Sequence, residues 1–535
     1  MPRKKYRLGL SVGLLLGVLL AAIGVFVVGP GAQAAASPFV QRCGIRFCLD
    51  GKAFYFAGTN TYDLFTYGSG SGDTETQYMD KARIDGQFAR MSADRVTVVR
   101  TWLFSMESWH GFETAEGVYN EQQFALFDYV IQSAKAHNIR LVPVFENYWE
   151  AYGGIDRRLQ WEGLSGGHPG RGQFFNKSKC PGCFTSYKNY VSHVLNRVNH
   201  YSGVSYKDEP TVLAWELMNE PRYQDQTPNE NTTGTTLRAW VDEMGAFVKG
   251  IDPHHLLGAG LEAHETRYGF GGDEGNPFVY IHQSPYIDFT SAHPYPTESW
   301  ADLDLVETKA LVRRWISDSH NLLGKPFFMG EFNTHDVDRT AWWRELFADF
   351  EAAGGDGSAF WWYADREIDG KFGVTQGDPE LAVFRAHSER MIAKSGGTVP
   401  TVGPTVSPTG PSPTASPTVS PTTQPTSPPS TCTVRYVLSD WGNTFNADVT
   451  IRNGAGSPVN GWALTFSFPG AQAINNTWNG ETTQSGKQVT VRNASWNPTI
   501  AAGGSVNFGF SATSTPGTNG VPTAFSLNGV ACAKS

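Results

Sequence analysis

Charge is scarce in this chain: Asp, Glu, Lys and Arg make up 17% of 535 residues, and no Lys/Arg block lies beyond the N-terminus. Nucleic-acid binding needs a basic footprint, so that class of partner is excluded. Apolar runs long enough to cross a bilayer are missing after residue 28, which leaves no membrane span in the body of the chain. Cysteine is limited to six residues, and Cys180-Pro-Gly-Cys183 has no second C-x-x-C or paired histidines nearby. A zinc site would lack its other ligands, so no metal and no cofactor is expected. Disorder is disfavoured by the opposite signal, 13% aromatic residues with sixteen tryptophans, a composition suited to broad aromatic contact surfaces.

What is present begins with an N-terminus built for export. "PRKKYR" precedes an apolar stretch from Leu8 to Val28 and then small residues in an A-x-A pattern, Ala32-Gln33-Ala34. Residues 1–34 read as a secretory signal peptide, with the mature, extracellular chain starting near Ala35. An uncleaved anchor is the competing reading of the same stretch. Export makes disulfides reasonable for three pairs, Cys43 with Cys48, Cys180 with Cys183 and Cys432 with Cys532, although connectivity does not follow from sequence. From 395 to 431 the composition collapses to Gly, Pro, Thr, Ser and Val, and proline at that density favours an extended spacer. The spacer separates two domains, 37–394 and 432–535.

The large domain alternates short apolar runs with helical stretches. Strands are expected in 53–60, 95–102, 139–145, 211–220, 255–262, 289–295, 325–331 and 357–363, with helices such as 120–138 and 235–252 between them. Eight such units predict an α/β fold, a (β/α)8 TIM barrel whose site lies at the strand C-termini. Polar and aromatic residues mark almost every strand end: Asn60, Arg100, Trp102, Asn147, Trp149, Asn219, Glu220, Glu262, His293, Tyr295, Glu331 and Trp361. They read as one mouth. Glu220 and Glu331, after the fourth and seventh strands, form a carboxylate pair of the kind that hydrolyses glycosidic bonds, one member donating a proton and the other attacking or activating water.

Ordered text carries a more specific signal. "RTWLF", "FENYWEAYGG", "WELMNEPR", "HPYP", "GKPFFMGEFN" and "FWWY" together resemble glycoside hydrolase family 5, with the closest likeness to endo-β-1,4-mannanases. The resemblance implies Glu220 as general acid/base and Glu331 as nucleophile, with retention of configuration. In that reading Arg100 and Tyr295 hold Glu331 ionised, Asn219 meets the sugar 2-hydroxyl, and His293 supports Glu220. Trp361 and Trp149 offer platforms, and Arg222 reaches the aglycone side. Plainer readings compete: Arg100 as a structural ion pair, His293 as a core histidine, Trp149 and Trp102 as core fillers, Arg222 as a surface arginine. Glu146 and Glu262 also stand at strand ends. "FENYW" after the third strand, where family members acting on cellulose often have histidine, favours mannan, glucomannan or galactomannan as substrate. Endoglucanase and exo-β-mannosidase are the alternatives within the family, and a non-catalytic polysaccharide-binding protein is the alternative outside it.

Residues 432–535 hold short alternating runs such as "VTIRN", "WALTFSF" and "KQVTVRN", which predict an all-β sandwich. Trp441, Trp478 and Trp496 stand in polar settings, whereas Trp462 lies in an apolar run. The spacing of the three, with the terminal cysteines and "FSLNGVAC", resembles carbohydrate-binding module family 2, and implies cellulose as a second polysaccharide partner. The protein is expected to be a monomer.

Overall fold

The computed structural model describes residues 37–67, 77–270, 272–366, 370–397, 432–440, 444–478, 480–494, 497–515 and 519–534. The signal-peptide reading and almost all of the spacer lie outside these residues. By its internal contacts the chain divides into two units, 1–410 and 411–535.

In the first unit eight parallel strands form a barrel: β1 (Phe56–Asn60), β2 (Val98–Trp102), β3 (Arg140–Val144), β4 (Ala214–Glu216), β5 (Leu256–Gly258), β6 (Thr290–Ala292), β7 (Phe327–Met329) and β8 (Gly357–Phe360). They pair in the order β5-β4-β3-β2-β1-β8-β7-β6. Between β5 and β6 closure comes from separate bonds, Asp288 N–H to Leu257 O at 2.8 Å and His293 N–H to Glu262 O at 3.0 Å. Several strands are shorter than their apolar runs. The run 211–220 yields a regular ladder only over 214–216, and from Leu217 onward the backbone bonds to β5 and to Glu146 as an irregular rim.

Each strand is buried on both faces, which is why the runs are predominantly apolar. Phe56, Val98, Val142, Ala214, Leu256, Phe289, Phe328 and Ala359 meet inside the barrel near the strand N-termini. Phe47, Leu49 and Phe54, from an N-terminal antiparallel sheet (Gln41–Cys43, Arg46–Leu49, Lys52–Ala53), join the same cluster. That end is filled with hydrocarbon, which leaves the opposite end for polar groups. Helices pack outside on apolar stripes. In the helix Thr235–Ile251, Leu237, Trp240, Val241, Met244 and Val248 are buried at three- and four-residue spacing. Leu305–Asp318 starts from a capping box between Asp304 and Glu307.

The second unit is an all-β sandwich. Its long antiparallel strands Cys432–Asp440, Thr444–Asn453 and Ser505–Thr513 pair in sequence, and Ala463–Ser467 pairs with Gln488–Asn493 and Phe525–Leu527. Alternate residues such as Phe445, Ala447, Val449 and Ile451 point into one core with Leu464, Phe466, Phe508 and Phe510. Trp462 belongs to that core. All three cysteine pairs are disulfides.

Candidate active site

Alternation along the strands builds the mouth in layers. On β2, Val98 fills the sealed end, and Arg100 stands above it with Trp102 at the rim; on β1 the same series is Phe56, Gly58, Asn60. Arg100 is fully buried and all three nitrogens of its guanidinium are engaged. Nε donates to Glu216 Oε2 at 2.7 Å, one terminal nitrogen to Glu331 Oε1 at 2.6 Å and Asn60 Oδ1 at 3.0 Å, and the other to Asn219 Oδ1 at 2.8 Å. Burial opposes its charge, but Glu216 and Glu331 outweigh that and raise its affinity for the proton. Tyr295 O–H donates to the second oxygen of Glu331 at 2.5 Å.

Glu220 sits just past β4 with φ of 52°, a left-handed backbone unusual for a side chain of this kind. Its N–H donates to Gly260 O at 2.8 Å. Gly260, at φ of 79°, approaches so closely that a Cβ there would lie 1.9 Å from Met218 O, so only glycine fits. His293 Nδ1 lies 2.8 Å from Glu220 Oε1, and the indole N–H of Trp149 donates to Glu220 Oε2 at 2.6 Å. A carboxylate oxygen of Glu220 and one of Glu331 lie within 4.8 Å of each other. Burial works against ionising Glu220, but the His293 hydrogen bond and charge, then Arg222 and the Trp149 N–H, hold it below the ordinary carboxylate range. Burial pushes Glu331 up; His293 and Arg100 pull against that, while the charge of Glu220 adds to it.

These groups open into a cleft of about 770 Å³. Trp361 lines it, stacked on Tyr62 at 5.3 Å and 12°, with Trp102 against both. Trp102 is only 4% exposed yet still reaches the cleft. Trp149, expected as a flat platform, turns its N–H edge to Glu220. Asn219 donates to Asn147 Oδ1 at 3.1 Å and lines the same space. Arg222 is no surface arginine: it is 8% exposed and pairs with Glu262 and Glu274, each at 2.5 Å. Glu146 is taken up by Arg158 behind β3 and does not line the cleft.

Sequence reasoning missed Glu216, Tyr62, Phe270, Trp300 and Phe372. Glu216 was legible in principle as a charge inside an otherwise apolar buried strand; the others sit on loops without periodicity. Among the described residues, two carboxylate–histidine groups have the spacing to hold a cation, Glu220–His293–Glu331 and Glu262–His264–Glu274. In each, an arginine already offsets the carboxylates, Arg100 in the first and Arg222 in the second. Trp441 and Trp496 lie outside the described residues; Trp478 ends a strand, and its side chain is outside them as well.

Facing carboxylates at an open barrel mouth are what breaking a glycosidic bond asks of a protein, and the class so defined is a glycoside hydrolase. Comparison with known proteins narrows it. The family model described as "GH family 5 beta-mannosidase-like" matches residues 37–331, and the chain belongs to that family. The "Cellulose binding domain" model matches 432–532. A putative mannan endo-1,4-beta-mannosidase 9 of Oryza sativa subsp. japonica is 35% identical over 59% of this chain and 77% of its own length. Mannan endo-1,4-beta-mannosidase 3 of Arabidopsis thaliana is 34% identical over 56% and 73%. Among solved structures, the endo-1,4-beta-mannanase of Rhizomucor miehei superposes with a TM-score of 0.56 at 30% identity, covering 66% of this chain and 99% of that one.

Proposed function

We propose that the protein is a secreted, retaining endo-hydrolase of β-1,4-mannosidic linkages in mannan, glucomannan or galactomannan, held to cellulose by its second unit. The observation that carries this is the approach of Glu220 and Glu331 oxygens to within 4.8 Å. Inverting enzymes need about 6.5–9.5 Å to seat a water between their carboxyl groups, whereas retaining pairs stand about 5–5.5 Å apart. Glu331, oriented by Arg100 and Tyr295, attacks the anomeric carbon as Glu220 protonates the departing oxygen. A covalent glycosyl-enzyme forms, and Glu220 then takes the proton of the incoming water. His293 Nδ1, 2.8 Å from Glu220 Oε1, orients the carboxyl group for that transfer. Asn219 meets the 2-hydroxyl, Trp361 lies beneath the sugar on the nucleophile side, and Arg222 faces the aglycone.

Endo action is supported by lining on both sides of the pair: Tyr295 and Phe372 beyond Glu331, Arg222 and Trp300 beyond Glu220. The mannan preference rests on the names carried by the plant relatives and the Rhizomucor structure. Trp441, Trp478 and Trp496 form the cellulose-binding face, tethered by residues 395–431, which raises the enzyme's concentration at plant cell walls. The test compares product release from linear β-mannan, carboxymethyl cellulose and xylan by the parent and its Glu331→Ala variant, with the anomeric configuration of the first product followed by NMR. Mannan oligosaccharides of retained configuration from the parent alone are expected. Release mainly from cellulose would reassign the chain to endoglucanase, mannose alone would mean exo action, and no release would mean binding without catalysis.

A further inference from the structure

The segment 164–183, "LSGGHPGRGQFFNKSKCPGC", lies between β3 and the helix Pro181–Asn196 and brings one arginine back toward the mouth. Arg171 is 6% exposed. Its guanidinium forks onto Asp156, with Nε at 3.0 Å from both carboxylate oxygens and a terminal nitrogen at 2.7 Å from Oδ2. Held there, it lies over the Tyr148 ring at 5.5 Å and the Trp149 ring at 5.6 Å. Asp156 also accepts the Gly167 N–H at 2.8 Å, and Gln226, from the loop after β4, donates to Pro169 O at 2.6 Å. The segment is therefore pinned at several points, and Arg171 is not free to wander.

Trp149 is the group this arrangement fixes. Its backbone is set by a turn in which Tyr152, Gly153 and Gly154 all have positive φ, and a Cβ on Gly154 would fall 1.9 Å from Trp149 O. A second guanidinium, that of Arg222, lies 4.9 Å from the same ring. Cations over an indole are held by its π-electrons and draw density from it, which makes the N–H a stronger donor. That N–H ends on Glu220 Oε2. We propose that Arg171, with Asp156 behind it, is a positioning residue that locks the Trp149 indole so that its N–H holds and tunes Glu220. The proposal rests on the reading of Glu220 as the acid/base.

The sign of the effect follows from which form the hydrogen bond favours. An N–H donor stabilises the carboxylate, so loosening Trp149 makes Glu220 keep its proton to higher pH. The basic limb of kcat/KM reports the free enzyme's acid, and it moves upward. Other groups around Glu220 stay in place: His293, Glu331, Arg100 and Tyr295 on one side, Arg222 with Glu262, His264 and Glu274 on the other. Arg171, which also meets Glu150 at 3.4 Å, contacts the Trp149 ring and that ring's N–H meets Glu220.

The experiment uses the full-length protein and Arg171→Met, Arg171→Lys, Trp149→Phe and the Arg171→Met/Trp149→Phe double variant, with a mannan oligosaccharide as substrate and thermal unfolding in parallel. Arg171→Met is expected to lower kcat/KM about tenfold, the scale of one hydrogen bond to a charged group, and to move the basic limb up by about half a pH unit or more. Trp149→Phe should shift the limb the same way, the double variant should add nothing to it, and Arg171→Lys should restore part of the shift. A lower unfolding midpoint with a pH profile superimposable on the parent's would overturn the proposal, leaving Arg171 a structural ion pair. So would additive shifts in the double variant. Glu220→Gln separates the premise from the inference: if it retains full activity, the acid/base reading fails first.

Discussion

Two buried arginines, each gripping two glutamates, invite comparison. Arg100 and Arg158 are both 0% exposed. Arg100 binds Glu216 and Glu331; Arg158 binds Glu146 at 2.5 Å and Glu113 at 2.9 Å. The first is saturated with aligned partners, including two asparagines, and one of its glutamates looks into the cleft. The second has a terminal nitrogen with no partner among the described residues, leans on the Tyr190 ring at 5.3 Å, and opens to nothing. Charge burial alone therefore does not mark a catalytic group. What distinguishes Arg100 is that every guanidinium nitrogen is hydrogen-bonded, and that one carboxylate lines the cleft.

That contrast can be broken in several places. Removing the open carboxylate with Glu331→Ala should cost about 10⁴-fold or more in kcat while thermal unfolding changes little, measured by mannan oligosaccharide release. Exchanging the two arginines for methionine should separate them cleanly. Arg158→Met is expected to destabilise the barrel by about 3–5 kcal/mol in denaturant titration, because two carboxylates lose their partner, yet to leave kcat per folded molecule within about twofold. Arg100→Met should lower kcat/KM by about 100-fold or more even in the fraction that remains folded, since the orientation of Glu331 is lost. Equal activity losses for the pair would end the distinction.

A third cluster sharpens the comparison through pH. Burial, with the charges of Glu220 and Glu274 and against the pull of Arg222, pushes Glu262 from 4.5 up to about 8. A carboxyl whose folded pKa is raised binds its proton more tightly in the native state. Its stabilising contribution is complete below about 4.5 and is lost as pH rises through about 8. The unfolding midpoint should fall by a few degrees, roughly, across that window, and Glu262→Gln should flatten the slope. A parent curve already flat from pH 5 to 9 would remove Glu262 from the account. At the small end, Lys177→Ala deletes an ion pair to Glu243 whose lysine is 62% exposed, and should change stability by no more than about 1 kcal/mol.

The barrel was legible because its strands are apolar on both faces and its helices carry period-3.6 stripes, signals that survive without tertiary knowledge. Glu220 and Glu331 were legible because each terminates such a run. Their surroundings were harder to read. That Trp149 shows Glu220 an edge and not a face depends on the left-handed turn at Tyr152–Gly154, and nothing in "NYWEAYGG" fixes a ring's orientation. Arg171 comes from a short 3-10 helix, Gly170–Phe175, and Trp300 from a loop, where contacts follow the path of the chain and not any long repeat. Strand ends were overestimated for the same reason: 212–218 is apolar but for Glu216, yet regular pairing yields at Leu217 to the irregular rim that carries the polar groups.

The Cys432–Cys532 bond has a mechanical consequence. Cys432 opens the first described strand of the sandwich and is bonded covalently to the strand Val530–Lys534, which also pairs in parallel with Cys432–Asp440. Tension arriving at Cys432 from the N-terminal side is thus divided between two adjacent strands. Lifting Cys432–Asp440 away from its first residue would have to carry Cys532 with it. An enzyme gripping a solid while the surrounding fluid drags on its other half is protected where it would otherwise begin to unravel.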